Sequence, residues 1–191
     1  MGTEWEAKQY DFGGNYLNEK WIKELGFIYT DMKNMMPEKI DKVIDLGCGV
    51  GHIGRELLTT YNNLDYLGID FSEGMIEKAK KYVPNLNFIV GDLRSPKIHK
   101  LYKNNYTYVC MEMLEHVHAD LEVLSAIPFG ADVLFSVPSY DSQNHVRKFD
   151  SIEEVIDRYK VVVDILATKV VYLQPNTQNK NRLYMVKSKR K

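Results

Sequence analysis

The chain has 191 residues, 45% of them apolar and 27% charged, which suits one packed domain and is short for two. A formal net charge of -1 gives no global sign of a polyanionic partner, and no apolar run reaches the roughly 18 residues that a membrane helix needs. Cys48 and Cys110 lie in apolar segments with no paired or regular spacing, so neither a disulfide framework nor a zinc staple is expected. The start MGTEWEAKQY has neither a basic leader nor an apolar core, so a reducing, cytoplasmic setting is the expectation.

In chain order, Leu17, Trp21, Leu25, Ile28, Met32 and Met35 recur every three to four positions and predict a leading helix closed by Pro37. Residues 1–40 thus form an N-terminal segment ahead of a core spanning 41–191, the two making a single domain. A strand is expected over Lys42 to Leu46 and a helix over His52 to Thr60, with Ile53, Leu57 and Leu58 inward. Tyr66 to Asp70 reads as a second strand. Ser72 can cap a helix whose apolar stripe is Met75, Ile76, Ala79 and Val83. Leu86 to Val90 is a third strand closed by Gly91-Asp92, and Tyr106 to Met111 a fourth. Leu114 to Ile127 carries helical spacing throughout, and Asp132 to Val137 is a fifth strand stopped by Pro138.

After a polar loop, Ser151-Ile152-Glu153-Glu154 matches a capping box and predicts a helix to about Tyr159. Val161 to Leu173 and Arg182 to Lys187 flank a turn-rich loop and read as a closing antiparallel hairpin. The basic end, Lys187 to Lys191, is expected to fray into solvent. Strands alternating with helices predict an α/β, doubly wound, Rossmann-like sheet of seven strands, mostly parallel, with helices on both faces and an antiparallel C-terminal hairpin.

The stretch VIDLGCGVGHIG, residues 43–54, puts four glycines within eight positions, the pattern of a strand breaking into a tight turn and opening a helix. From Gly49 its letters satisfy G-x-G-x-x-G, the dinucleotide fingerprint. Asp70, an acid about 20 residues beyond, fits that reading too. Asp45 argues against it. A carboxylate two residues before the first glycine would oppose a pyrophosphate by about 4 kcal/mol at ~4 Å and an effective dielectric near ~20. S-adenosylmethionine has no phosphate, and its sulfonium and ammonium suit a cleft lined by acids, while glycine amides at a helix N-terminus can meet its carboxylate.

Read from the acid, Asp45-x-Gly47-x-Gly49-x-Gly51 resembles the first motif of the class I S-adenosylmethionine-dependent methyltransferases. The resemblance runs from about Val43 to Pro138, through VIDLGCGVG, YLGIDFSEGMIEKAK, NFIVGDL and YVCMEMLEHV in order. It implies that Gly47, Cys48, Gly49 and Gly51 form the turn around the methionyl part, with Asp45 near its ammonium and Met111 along it. It implies further that Asp70 binds the ribose hydroxyls, Phe71 and Met75 lie beside the adenine, Asp92 accepts from the adenine amino group and Leu93 flanks the ring.

Methyl transfer from a sulfonium is an in-line displacement, so the protein has to align the acceptor, exclude water and, for a hydroxyl or protonated amine, remove a proton. Met113-Leu114-Glu115-His116-Val117 resembles the L-E-H segment of small-molecule members, which makes His116 and Glu112 candidate catalytic residues. FSVPSYDSQNHVRKF, residues 135–149, resembles an acceptor loop. There His145 is a candidate general base, and Tyr140, His145 and Arg147 are candidate substrate contacts. Glu112, Glu115, His116 and His118 could supply metal ligands, but four residues on one turn are not expected to converge, and no metal is assigned. In similar enzymes a segment like that around Trp5, Tyr10, Phe12, Gly13-Gly14 and Tyr16 closes over the cofactor, so Tyr10 is a further candidate contact.

The expected activity is methyl transfer to an oxygen or nitrogen of a small-molecule acceptor, by a monomer or homodimer. A macromolecular acceptor such as tRNA or a peptide, which the basic end would permit, and a binding protein without turnover are the alternatives. Ala126 to Ala131 replaces the lysine-proline-glycine-glycine turn usual in the family, and no large insertion precedes the final hairpin, so an open acceptor cleft is expected.

Overall fold

A computed structural model describes residues 19–142, 144–173 and 180–191, with side chains from residue 26 onward. Helix α1, Glu19–Met35, leads into strand β1, Lys42–Leu46. There follow α2 (His52–Leu58), β2 (Asp65–Asp70), α3 (Glu73–Tyr82), β3 (Asn87–Val90), α4 (Pro96–His99) and β4 (Thr107–Cys110). A 3-10 turn, Leu114–His116, precedes α5 (Asp120–Ser125) and β5 (Asp132–Pro138). The chain closes with α6 (Ile152–Tyr159), β6 (Val163–Tyr172) and β7 (Arg182–Arg190).

The strands form one sheet in the order β3-β2-β1-β4-β5-β7-β6. The first five pair in parallel, whereas β7 runs antiparallel between β5 and β6. Chain order reverses at β1 and β4, so the crevice at their carboxyl ends is where a ligand site is expected. This is the doubly wound sheet with a C-terminal hairpin that the alternating pattern predicts.

Alternation along the strands builds a core on each face. On one side Ile44, Leu46, Cys110 and Phe135 pack with Leu124, Val155 and Tyr159. On the other Val43, Val109 and Leu134 pack with Met32, Leu57 and Ile76. Caps fix the helix starts: Met75 N–H donates to Ser72 Oγ at 3.3 Å, and Glu154 N–H to Ser151 Oγ at 3.3 Å. Among the described residues no helix is long and apolar enough to cross a membrane.

Two expectations fail. The helix predicted over Leu114 to Ile127 is broken between His116 and Asp120, with Val117 in extended conformation. The carbonyls of Leu114, Val117 and His118 accept instead from the Arg147 guanidinium, with Val117 at 2.6 Å and His118 at 3.1 Å. A distant arginine has taken acceptors that would otherwise bond within a continuous helix. The basic end does not fray either, because Lys187, Lys189 and Arg190 belong to β7. Lys189 Nζ meets Asp132 at 2.9 Å, and Arg190 donates to the carbonyls of Val162 (3.2 Å) and Ser125 (2.8 Å).

Candidate active site

The glycine turn after β1 is shaped by positive φ at Gly47 (76°), Gly49 (52°) and Gly51 (85°), a region that residues with a Cβ enter at a cost. At Gly47 and Gly51 the space is closed as well. A Cβ on Gly47 would lie 2.9 Å from Met113 Cβ and nearer still to its Cγ, and one on Gly51 would lie 2.8 Å from the Phe88 ring. At Gly49 a Cβ would meet nothing within 4 Å. That open side belongs to a cavity of about 720 Å³ whose walls include Gly47, Cys48, Gly49 and Asp70.

Asp70 ends β2 and faces the turn. Its Oδ2 accepts from Gly49 N–H at 2.9 Å and its Oδ1 from Ser72 N–H at 2.9 Å. Phe71, Met75, Asp92, Leu93 and Met111 line the same cavity. Asp92, however, is already engaged: its carboxylate accepts from Arg94 Nε (2.9 Å) and NH2 (2.8 Å), and that guanidinium holds its pKa below the usual range. Arg94 lines the wall with it.

Two residues of the motif lie elsewhere than expected. Gly51 caps α2 against Phe88 and is not among the lining residues. Asp45 is fully buried beneath the turn and also does not line the cavity. Its Oδ2 accepts from the Tyr66 hydroxyl, its Oδ1 has no hydrogen-bond partner, and burial pushes its pKa up to about 7.

The opposite end of the cavity is built by the segment after β4 and the loop after β5. Glu112 leaves β4 with φ of 53°, the only positive value at a non-glycine among the described residues. This turn exchanges bonds with Ser136 on β5: Glu112 N–H donates to Ser136 Oγ at 3.0 Å, and that hydroxyl donates to Glu112 Oε1 at 3.0 Å. Tyr140 OH donates to Oε2 at 3.3 Å. Burial raises the Glu112 pKa to about 7. Glu115, three residues on, is fully buried with no hydrogen-bond partner on either carboxylate oxygen, and burial together with the Glu112 charge holds its pKa well above the usual range.

His116 and His145 come from the two different segments and meet edge to face, ring centroids 4.8 Å apart. Nδ1 of His116 lies 2.9 Å from the carbonyl of Asn144, and Nδ1 of His145 lies 3.1 Å from that of Tyr140. Burial lowers the His116 pKa to about 4, so its imidazole is neutral near pH 7. Glu112, Glu115, His116, Tyr140 and His145 all line the cavity. Glu115 is not among the catalytic candidates of the sequence, where its place beside His116 in the L-E-H segment and its metal-ligating side chain are what mark it.

Arg147 is not placed as a substrate contact. It does not line the cavity, because its guanidinium is spent on the three carbonyls of the broken helix and on Asp120, at 3.3 Å. With Val146 N–H donating to the Glu115 carbonyl at 2.8 Å, it ties the His145 loop to the Glu115-His116 turn. Tyr10, like Trp5, Phe12 and Tyr16, lies outside the described residues.

The switch-point cleft, its glycine turn and the acid after β2 are arranged as in the class I S-adenosylmethionine-dependent methyltransferases that the sequence resembles. The methyltransferase domain family matches residues 43–127. The chain is 26% identical over 136 residues to the putative methyltransferase 235L of Invertebrate iridescent virus 6, a stretch covering 69% of this chain and 51% of that protein. It is 27% identical over 178 residues to malonyl-[acyl-carrier protein] O-methyltransferase 2 of Ilyobacter polytropus, covering 82% and 66%. The chain therefore spans about half to two thirds of the length of these two relatives. In fold it resembles the N-methyltransferase NodS of Bradyrhizobium japonicum, solved with S-adenosyl-L-homocysteine, at a TM-score of 0.65, 12% identity and 87% coverage of each chain.

Proposed function

We propose that the protein is a methyltransferase that takes its methyl group from S-adenosylmethionine and gives it to an oxygen or nitrogen of a small-molecule acceptor. One observation carries this reading: a single cavity of about 720 Å³ joins the glycine turn and Asp70 at one end to Glu112, His116 and His145 at the other. That volume lies in the range of small-ligand sites.

The donor fits the residues present. Asp70 offers carboxylate oxygens to ribose hydroxyls, Phe71 and Met75 offer an apolar wall to a base, and the open face of Gly49 lets the backbone approach the methionyl end. Bound there, S-adenosylmethionine would supply a methyl carbon already activated by its sulfonium. The protein does the rest by placement. Tyr140 and Ser136 hold the Glu112 carboxylate at the acceptor end, where it can take the proton that a hydroxyl or ammonium acceptor must shed. The relative from Ilyobacter polytropus is by name an O-methyltransferase, which favours oxygen.

The basic run Lys187 to Arg190 gives no support to a polyanionic acceptor, since Lys189 and Arg190 are paired within the sheet. The test is S-adenosylhomocysteine release from S-adenosylmethionine in the presence of size-fractionated cell extract. Release with the low-mass fraction supports the reading. Release with the macromolecular fraction alone overturns the small-molecule assignment.

A further inference from the structure

At the acceptor end, one carboxylate oxygen of Glu115 and one ring nitrogen each of His116 and His145 lie within 4.8 Å of one another. We propose that these three side chains form a binding site for a divalent transition-metal cation, open to the cavity on its remaining positions.

Four observations carry the assignment. The first is the donor set: two imidazoles and one carboxylate are the ligands that zinc, manganese or ferrous iron take in sites that keep positions open for a substrate. The second is the carboxylate of Glu115, which is fully buried, faces the cavity and has no hydrogen-bond partner on either oxygen. A buried carboxylate without a partner is costly when ionised, and a bound cation offsets that cost.

The third is ring orientation. Each Nδ1 rests on a backbone carbonyl, His116 on Asn144 and His145 on Tyr140, and the tautomer that donates there carries its lone pair on Nε2. A backbone acceptor behind the ring is how metal-binding imidazoles are fixed. The fourth is scaffolding. Arg147 and the Val146 N–H bind the His145 loop to the Glu115-His116 turn through backbone carbonyls, so ligands from two segments are held together without using any of the three ligand side chains. Ligands at about 2.1 Å from one cation lie about 3 to 3.4 Å from each other, so loading would draw the three atoms together by rotamer adjustment.

The site is not the one weighed in the sequence. Of the four residues on the turn after β4, Glu115 and His116 converge, and the third ligand comes from the loop after β5. The metal site stands on this geometry alone. Its role, to hold and polarise an acceptor oxygen, rests on the methyltransferase reading above.

The experiment is a cobalt(II) titration of the untagged full chain after chelator treatment and dialysis, read by visible d–d absorption. One cobalt per chain is expected, with affinity at least tenfold lower in Glu115→Gln and in His145→Asn and unchanged in Glu122→Gln, an exposed position. The wild-type cobalt form should also show two exchangeable, paramagnetically shifted imidazole N–H signals, which decides the matter should a variant fail to fold. Absence of saturable binding, equal affinity in all variants, or no such signals overturns the site. Calorimetry with S-adenosylhomocysteine is run alongside. A chain that binds it but no cobalt loses the metal site and keeps the methyltransferase reading, and the reverse result separates them the other way.

Discussion

Gly49 and Asp70 are joined by a hydrogen bond of 2.9 Å from the backbone N–H of the glycine turn to the carboxylate that ends β2. The turn and the acid, 21 residues apart, are therefore one rigid element at the switch in strand order. Two glycines of this turn separate the demands of folding from those of ligand. Both would strain on gaining a Cβ, by about 1–2 kcal/mol for a left-handed residue. Gly47→Ala also collides with Met113, so its melting temperature should fall by several degrees. Gly49→Ala meets nothing, so it should fold with a smaller loss and fail instead in binding S-adenosylhomocysteine, by tenfold or more. Thermal melts and calorimetry on both variants check the contrast, and equal behaviour would contradict it.

Asp45 should leave a mark on the pH dependence of stability. Its pKa is 3.8 in an ordinary setting and about 7 in the fold. Between these values the folded chain holds a proton that the unfolded chain has released, so the contribution of this group to stability falls as pH rises from about 4 to about 7. The slope for one proton is about 1.4 kcal/mol per pH unit. Glu112 and Glu115, raised in the same direction, add to it. Urea unfolding at pH 5 and pH 8 should therefore show the wild type losing more stability across the interval than Asp45→Asn. Parallel losses would refute the assignment.

Arg147 should behave as a positioning residue. Arg147→Lys keeps the charge and removes the planar fork that serves the carbonyls of Leu114, Val117 and His118. Leaving such acceptors unmet costs about 1–3 kcal/mol, a shift in the urea midpoint that is readily measured. Cobalt affinity should drop with it, because the two ligand segments are no longer tied. A variant as stable as the wild type would show that the fork is ornamental.

Glu112→Gln should separate binding from turnover. The amide keeps a hydrogen-bonding group opposite Ser136 and Tyr140 but cannot take a proton. With an acceptor in hand, kcat should fall by about 100-fold, the lower range for a general base, with S-adenosylhomocysteine affinity little changed. An unchanged kcat would remove Glu112 from the chemistry.

The parts legible in the sequence were those written in local periodicity. Alternating strand and helix stripes predicted the doubly wound sheet, and Gly47, Gly49 and Asp70 come together because the two glycines follow the end of β1 and Asp70 closes the neighbouring β2. What was illegible depends on distant partners. Nothing near Leu114 or Val117 says that Arg147 will claim their carbonyls and break the helix, and nothing near Arg147 says that it will turn from the cavity to do so. His116 and His145 were each noticed, but 29 positions separate them and their meeting is a product of the β4 and β5 pairing. Asp45 is buried against Tyr66 with its pKa raised to about 7, so near neutral pH it repels a pyrophosphate less than a fully ionised carboxylate would.

The central claim is that the cleft at Gly49 and Asp70 binds S-adenosylmethionine, and the direct measurement is calorimetric binding of S-adenosylhomocysteine to the wild type and to Asp70→Ala. The account predicts one site per chain in the wild type and affinity reduced at least tenfold, about 1.4 kcal/mol, in the variant. No binding to the wild type, or equal binding to both, would contradict it.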